Sequence, residues 1–209
     1  MTIDLDAVNA ELKDKSPEAI VRWATGLDKR VMATTSFSPN AAAMLHLIQG
    51  IAPDIPVVWV DSGYNMADAY LVAQEIIERL GLNMHIYIPE MTAERRNALM
   101  GGIPHPEDDP DLHREFTRQV KLEPFQRALD DLKPQVWLTG IRANETAFRQ
   151  TLDTVTWDER GLLRVAPFFH WSEAQVEEYM NRYELPSCRH YFDPTKAAPD
   201  VECGLHTTG

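Results

Sequence analysis

A single thiol near the C-terminus is the residue whose surroundings most clearly suggest chemistry. Cys203 is followed by Gly204 and, three positions after the cysteine, by His206. A cysteine reacts as its thiolate, which a neighbouring positive charge favours, and a histidine supplies either that charge or a proton donor. Terminal segments bury little, so core packing does not explain the thiol. For a terminal cysteine taken alone, a surface residue without a function is the favoured interpretation, and a nucleophilic cysteine is the alternative.

Four basic side chains are candidates for holding an anionic ligand. The formal net charge of the 209-residue chain is −12, so its overall field repels anions and disfavours a nucleic-acid partner. An anion must therefore be held by a local basic cluster, for which the candidates are Lys121, Arg142, Arg149 and Arg164. A guanidinium makes paired hydrogen bonds with phosphate or sulfate oxygens. For each residue taken alone, the alternative is a solvated surface charge.

Apolar runs separated by amphipathic stretches predict alternating strands and helices. Strands are predicted at 30–37, 56–60, 84–88 and 136–140, and helices at 17–27, 40–51, 65–80 and 173–183. Continuous apolar runs are typical of strands buried on both faces of a parallel sheet. Strands joined through helices predict an α/β fold with a doubly wound, mostly parallel sheet over residues 1–186. Residues 101–111 are predicted to form a mobile acidic loop, and residues 187–209 an extended or mobile tail that carries Cys203.

Polar residues follow the first two predicted strands at their carboxyl ends. Ser36, Phe37, Ser38 and Asn40 come after one strand, and Asp61, Ser62 and Gly63 come after the next. Ligands of open α/β sheets bind beyond these ends. The helix predicted from residue 40 would present its N-terminal N–H groups and the positive end of its dipole to an anion. The alternative is that the first segment only turns the chain and begins a helix.

Six segments occur in the order found in one enzyme family. They are residues 34–42, 60–64, 121–124, 140–149, 164–171 and 202–206. The ordered set resembles the phosphoadenylyl-sulfate (PAPS) and adenylyl-sulfate (APS) reductases. The resemblance implies the Rossmann-like fold of the adenine nucleotide α-hydrolase-like superfamily, with a nucleotide-binding domain at 1–186 and a tail at 187–209. It implies that Cys203 attacks the substrate sulfur, with His206 beside it.

The same resemblance implies a reaction and a set of substrate-binding residues. Those residues are Ser36, Phe37, Ser38, Asn40, Asp61, Ser62, Gly63, Lys121, Arg142, Arg149 and Arg164. The implied reaction reduces PAPS to sulfite and adenosine 3′,5′-bisphosphate through an enzyme S-sulfocysteine, as part of sulfate assimilation. Thioredoxin or glutaredoxin would be the electron donor, and the enzyme a homodimer. The sequence has no apolar run of membrane-spanning length and no basic region typical of a signal peptide, so we expect a cytoplasmic protein.

The number of cysteines indicates which branch of the family the sequence resembles. The APS-using branch has a cysteine pair before its Lys-x-Glu-Pro motif and a Cys-x-x-Cys further on. Here residues 117–120 read Thr-Arg-Gln-Val, and the chain has two cysteines. An iron–sulfur cluster normally needs four thiolates. The sequence therefore resembles the cluster-free, thioredoxin-dependent PAPS reductases, and we expect no cluster and no metal.

Three features depart from the family pattern. Ser38 stands where the reductases usually keep a glycine, and Glu145 stands where they more often show glutamine. The stretch between the last helix and Cys203 is also short. Substrate contacts made by the longer stretch must be absent, or be replaced by Arg189, His190 or Lys196.

Other functions remain open at this point. One is APS reduction without a cluster. Another is a nucleotide-binding regulatory protein without catalysis, in which Cys188, His190, Cys203 and His206 hold a tetrahedral zinc ion. Cys188 lies 15 positions before Cys203, a separation that a loop can close to form a protective or resolving disulfide. The alternative for Cys188 is a semi-buried residue without a redox role.

Overall fold

A computed structural model describes residues 3–188 and 190–196. Its helices are α1 Leu5–Leu12, α2 Pro17–Thr25, α3 Ala41–Ile51, α4 Ala67–Leu80, α5 Ala93–Met100, α6 Pro110–Thr117, α7 Glu123–Leu132 and α8 Glu173–Arg182. Its strands are β1 Val31–Thr35, β2 Val57–Val60, β3 Met84–Tyr87, β4 Val136–Leu138, β5 Val155–Trp157 and β6 Leu163–Val165. A π-helical turn, Arg118–Leu122, joins α6 to α7, and short 3₁₀ turns occupy Ala143–Glu145 and Arg149–Thr151. Within the described residues, no helix is long and apolar enough to cross a membrane.

The strands form one six-stranded sheet in the order β3-β2-β1-β4-β6-β5. Every neighbouring pair is parallel except the edge pair of β5 with β6. Strand β1 lies at the centre, where Ala33 is in register with Val57 on one side and with Leu138 on the other. The predicted doubly wound, mostly parallel α/β fold is therefore confirmed. The antiparallel edge was not predicted, because a strand of three residues carries too little periodicity to be recognised.

Both faces of the sheet are covered by apolar side chains. In β1 the consecutive residues Met32 and Ala33 are both fully buried, but they belong to different apolar clusters. Ala33 packs in the larger cluster with side chains of α2 and α3, whereas Met32 packs with Phe125 of α7. Because alternate residues of a strand face opposite sides, burial on both faces requires the continuous apolar runs seen in the sequence.

Helix ends follow local chemistry that the sequence makes visible. Ser16 accepts a hydrogen bond from the Ala19 amide and begins α2, with Pro17 in the first turn. Ser172 and Gln175 form a capping box that begins α8. Gly81 ends α4 with φ 59°, as predicted. Helices α5, α6 and α7 were not assigned from the sequence.

The β5 edge of the sheet is held by a side chain of the first helix. Asn9 of α1 donates from Nδ2 to the carbonyl oxygen of Val155 at 2.9 Å. Its Oδ1 accepts from the amide of Val155 at 2.8 Å. One side-chain amide thus pairs with both outward-facing backbone groups of that strand residue, as a neighbouring strand would.

The first part of the predicted tail packs against the domain. Ser187 donates to the carbonyl oxygen of Pro39 at 2.9 Å, and Cys188 is only 1% exposed. Residues 190–196 continue across the carboxyl edge of the sheet. Residues 101–109 are irregular between α5 and α6, and their mobility stays a prediction.

Two glycine substitutions should have opposite effects on stability. Gly81→Ala should lower the free energy of unfolding by about 1 kcal/mol, because an L-residue is strained at φ 59° although a Cβ would meet no atom within 4 Å. Gly50→Ala should raise it by roughly 0.5–1 kcal/mol, because Gly50 lies within α3 and also faces open space. Urea unfolding of both variants measures the difference. A change of the same sign in both would contradict this account.

Candidate functional site

A cleft opens at the carboxyl edge of the sheet between β1 and β4. From β1 the chain builds β2 and β3 on one side and then crosses to β4 on the other, so this is the point where strand order reverses. The cleft has a volume of about 410 Å³. Its polar lining residues include Ser36, Ser38, Asn40, Lys121, Thr139, Arg142, Glu145, Arg149, Glu173, Tyr191, Asp193 and Lys196.

The turn after β1 is shaped by Phe37. This residue has φ 50°, a conformation more typical of glycine, and its amide donates to Thr35 Oγ1 at 3.1 Å. Its ring is 2% exposed and packs edge-on against Trp59 with centroids 4.8 Å apart. Burial of the ring offsets a backbone strain of about 1–3 kcal/mol. Phe37, predicted as a substrate-binding residue, is thus a core anchor, and the flanking Ser36 and Ser38 line the cleft.

Helix α3 begins at the wall of the cleft. Ser38 accepts the amide of Ala41 through its carbonyl oxygen, and Asn40 occupies the cap position without a side-chain capping bond. Asn40 instead donates from Nδ2 to Glu173 Oε1 at 2.7 Å. Because Asn40 and Ala41 line the cleft, the positive end of the α3 dipole meets it and favours an anion there.

Two arginines and two glutamates form a connected network in the cleft. Arg142 Nη2 lies 3.1 Å from Glu145 Oε1 and 2.5 Å from Glu173 Oε2. Glu145 Oε2 forms an ion pair with Arg149 and also accepts the backbone amide of Arg142 at 2.8 Å. Burial raises the pKa of Glu173, but the hydrogen bonds from Asn40 and Arg142 lower it by more. The net pKa is therefore below the ordinary value. Arg142 is therefore held beside an ionised Glu173 carboxylate.

Arg142 still has one buried N–H group to satisfy. The residue is 7% exposed, and its Nη1 has no hydrogen-bond partner among the described residues. A buried donor without an acceptor costs about 1–3 kcal/mol. A ligand oxygen in the cleft would remove that cost, which favours Arg142 as an anion-binding residue.

Lys121 anchors the C-terminal segment across the cleft. It lies in the π-helical turn and forms an ion pair with Asp193, whose Oδ1 accepts from the Thr195 hydroxyl at 2.6 Å. The two charged side chains are 14% and 7% exposed. Burial raises the pKa of Asp193, whereas the charge and hydrogen bond of Lys121 and the bonds from Thr195 lower it by more. Asp193 is therefore ionised and ties residues 190–196 to the lysine.

A buried arginine supports the π-helical turn from behind. Arg96 of α5 is 1% exposed and donates from Nε to Gln119 Oε1 at 3.0 Å and from Nη2 to the Met91 carbonyl at 2.8 Å. Gln119 in turn donates to Glu115 at 2.8 Å. The amide thus bridges a buried cation to an acidic side chain. π-helical turns are frequent at functional sites, and this one carries Lys121 to the cleft.

Asp61 organises the turn after β2 rather than the cleft itself. Its Oδ1 accepts from the Gly63 amide at 3.0 Å and from Tyr70 at 2.7 Å. Burial and the Asp61 carboxylate raise the pKa of Tyr70 to about 12. Gly63 has φ 80°, which explains the glycine. Ser62, with Lys121, lines a smaller pocket of about 40 Å³ beside the cleft.

The remaining predicted site residues lie elsewhere. Arg164 is in the middle of β6, 4% exposed, beside Trp137 in register and donating to Thr156 at 3.1 Å, and it does not line the cleft. Cys203 and His206 lie outside the described residues.

The described members of the alternative zinc site do not meet through their side chains. Cys188 donates from Sγ to the His190 carbonyl oxygen at 3.4 Å, while the His190 ring lies 2.5 Å from Asp68 and lowers the pKa of that carboxyl. Within the described chain, no three His, Cys, Asp or Glu residues are grouped for metal binding. The other two proposed ligands, Cys203 and His206, are outside the described residues, so this alternative stays untested.

Several cleft residues were not predicted as site residues, among them Glu173, Asp193 and Tyr191. Glu173 follows the helix cap Ser172, so its position in the sequence suggests only a helix start. Asp193 precedes a proline, which suggests only a turn. Tyr191 carries no local signal. Lys196, proposed as a substitute for missing contacts, does line the cleft; Arg189 lies outside the described residues.

Sequence comparisons with known proteins place the chain in one family. Residues 30–196 match the model of the phosphoadenosine phosphosulfate reductase domain. The chain is similar to a phosphoadenosine 5′-phosphosulfate reductase of Synechococcus sp., with 36% identity over 183 residues, 87% of this chain and 78% of the relative. It is 35% identical to that of Xylella fastidiosa (strain 9a5c), over 98% of this chain and 84% of the relative. The fold is similar to the crystal structure of a PAPS reductase from Candida auris in complex with phosphate, with a TM-score of 0.76, 24% identity and 90% of each chain covered.

Asp193→Asn should loosen the segment over the cleft. The Thr195 amide donates to Asp193 Oδ1 at 3.0 Å, and a hydrogen bond to a charged group is worth about 2 kcal/mol. We expect hydrogen-exchange protection of Thr195 and Lys196 to fall roughly thirtyfold at neutral pH. Asp111→Asn, which removes an exposed ion pair with Arg114, is the control and should leave this protection unchanged.

Acid should have the same effect on the wild-type protein. The pKa of Asp193 is lowered in the folded state, so its contribution is present above the ordinary value of 3.8 and is lost as the pH falls through the folded pKa. Protection should therefore decrease below about pH 4 in wild type and change little in the Asn variant. Equal protection in both proteins at neutral pH would contradict the anchoring role.

Proposed function

Because the chain belongs to the phosphoadenosine phosphosulfate reductase family, we propose that it reduces PAPS to sulfite and adenosine 3′,5′-bisphosphate. Chief support comes from the cleft, where the buried Arg142 has an N–H group without a described partner at the strand-order reversal. A volume of about 410 Å³ suits a nucleotide-sized ligand.

The substrate phosphates are proposed to bind between the turn after β1 and the two arginines. Ser36 and Ser38 supply hydroxyl donors, and the start of α3 supplies a favourable dipole. Arg142 and Arg149 would bind the anionic oxygens, and Lys121 would approach from the π-helical turn. Fixed cations around the departing phosphate stabilise the charge that develops as the bond breaks.

Cys203 is proposed to be the nucleophile. Its thiolate attacks the sulfate sulfur, a sulfur–sulfur bond forms, and the bond from that sulfur to the phosphate oxygen breaks, which releases adenosine 3′,5′-bisphosphate. Cys203 then carries an S-sulfo group. His206 is proposed to lie beside the thiolate and favour its ionised form.

The second half of the reaction needs two electrons from a dithiol. One thiolate of reduced thioredoxin or glutaredoxin attacks Cys203 Sγ and releases sulfite, leaving a mixed disulfide. The second donor thiol breaks that disulfide, so the donor leaves oxidised and Cys203 returns to its thiolate. Two cysteines fall short of the four thiolates of a cluster, so we propose a cluster-free enzyme. We also propose that it acts as a homodimer in the cytoplasm.

Two observations support the assignment of Cys203. The alignment with the Xylella fastidiosa relative covers 98% of 209 residues, which leaves about four outside it, so it runs through position 203. Cys203 also follows Lys196, a residue of the cleft wall, by seven positions. Seven residues span at most about 25 Å, which limits how far Cys203 can lie from the cleft wall.

Cys203→Ser should abolish sulfite release while leaving nucleotide binding nearly unchanged, because a hydroxyl cannot form the S-sulfo intermediate. The assay is anaerobic sulfite release with reduced thioredoxin, run in parallel with PAPS and APS. Intact mass spectrometry of wild type with substrate and no thioredoxin should show one added sulfonate. Full activity of the Ser variant would overturn the nucleophile, and sulfite release from APS alone would overturn the substrate.

Cys188→Ala separates the two roles considered for the other cysteine. The buried thiol donates only to a backbone carbonyl in the described structure, so we expect turnover with thioredoxin to be unchanged. Peptide mapping of oxidised wild type should show no bond between Cys188 and Cys203. Accumulation of S-sulfocysteine in the Ala variant, with its folding intact, would instead support a resolving disulfide.

A further inference from the structure

The charged groups of the cleft nearly cancel. Among its described lining residues, the cations are Lys121, Arg142, Arg149 and Lys196, and the carboxylates are Glu145, Glu173 and Asp193. Four cations against three carboxylates leave a formal charge of +1. A cleft that must bind a nucleotide with several negative charges, within a protein of charge −12, therefore has little positive charge in excess.

Glu145 is the carboxylate that contacts both arginines. One oxygen accepts from Arg142 Nη2 at 3.1 Å and from its Nε at 3.3 Å, and the other is paired with Arg149. The glutamate side chain is 30% exposed, whereas those of Arg142 and Arg149 are 8% and 11% exposed. An anionic group that binds these arginines meets the Glu145 carboxylate within the same few ångströms.

We propose that Glu145 is a specificity-determining residue that competes with the nucleotide's anionic groups for Arg142 and Arg149. This rests on the proposed function only in taking the ligand to be an adenine nucleotide. Each added phosphate brings about −1.5 to −2 charges near this carboxylate, so the penalty grows with the charge of the ligand. Glu145 thereby reduces the difference in affinity by which the cleft favours a more highly phosphorylated nucleotide over a less phosphorylated one.

Glu145→Gln removes this negative charge. Glutamine has nearly the same shape, and its carbonyl oxygen can still accept the Arg142 amide, now 2.8 Å from Glu145 Oε2. The 3₁₀ turn Ala143–Glu145 therefore keeps its capping bond while the negative charge is removed.

The test is isothermal titration calorimetry with two probes that differ by one phosphate, adenosine 5′-monophosphate and adenosine 3′,5′-bisphosphate. For Glu145→Gln, we expect binding of the bisphosphate to tighten about tenfold and of the monophosphate about threefold. The gain should shrink at 0.5 M salt, because ions screen the removed charge. Glu78→Gln is the matched control: this exposed glutamate of α4 pairs with Gln74 at 2.7 Å, lies outside the cleft lining, and should leave both affinities unchanged.

Glu173→Gln provides a second variant in case the first does not fold. Its side chain is 54% exposed, so the substitution carries little risk for folding, and it also pairs with Arg142. It should tighten bisphosphate binding in the same direction. A thermal melt of each variant checks the fold.

The outcomes separate the inference from the proposed function. If the wild-type protein binds either nucleotide and Glu145→Gln binds both equally or more weakly, Glu145 holds the arginines in place and the competition is overturned. An equal gain for both probes would overturn the dependence on ligand charge. If the wild-type protein binds neither nucleotide, the proposed function fails and the inference fails with it.

Discussion

The pairing of β1 with parallel strands on both sides is the constraint on which the site depends. Because β1 is bonded to β2 and β4 and its two faces are buried, its polar neighbours can meet solvent only at the ends of the sheet. At the carboxyl end the chain must turn at once into α3, and Phe37 makes that turn with a positive φ and a buried ring. The cleft lies between this turn and the segment that follows β4.

Much of this arrangement is visible in the sequence because it depends on local rules. The apolar runs of β1 and β2, the caps Ser16 and Ser172, and the glycine that ends α4 each carry a signal within a few residues. The positions of Ser38 and Arg142 in the cleft follow from strand ends alone. Parallel strands place their carboxyl ends together, so residues far apart in the chain can be assigned to one edge.

Other features cannot be predicted from the sequence, because they depend on how deeply a residue is buried in the sheet or on contacts with residues far away in the chain. Arg164 is a cation after two apolar residues in the sequence, but its register beside Trp137 places it within the sheet. Asp193 is recognisable only once Lys121 is known to lie opposite it, 72 positions earlier. Glu173 likewise looks like a favourable first-turn residue of α8 until Arg142 and Asn40 are placed beside it. Pairing of charges across elements is a property of the fold.

The Asn9 contact at the β5 edge has a consequence for how copies of this chain can associate. An edge strand normally presents a row of free donors and acceptors that another chain can extend. In a strand of only three residues, the side chain of Asn9 takes both outward groups of Val155, which interrupts that row. Strand addition is thereby hindered at this edge, whereas the opposite edge of the sheet is formed by β3. The two edges thus differ in what they offer to another chain, and one asparagine of α1 contributes to that difference.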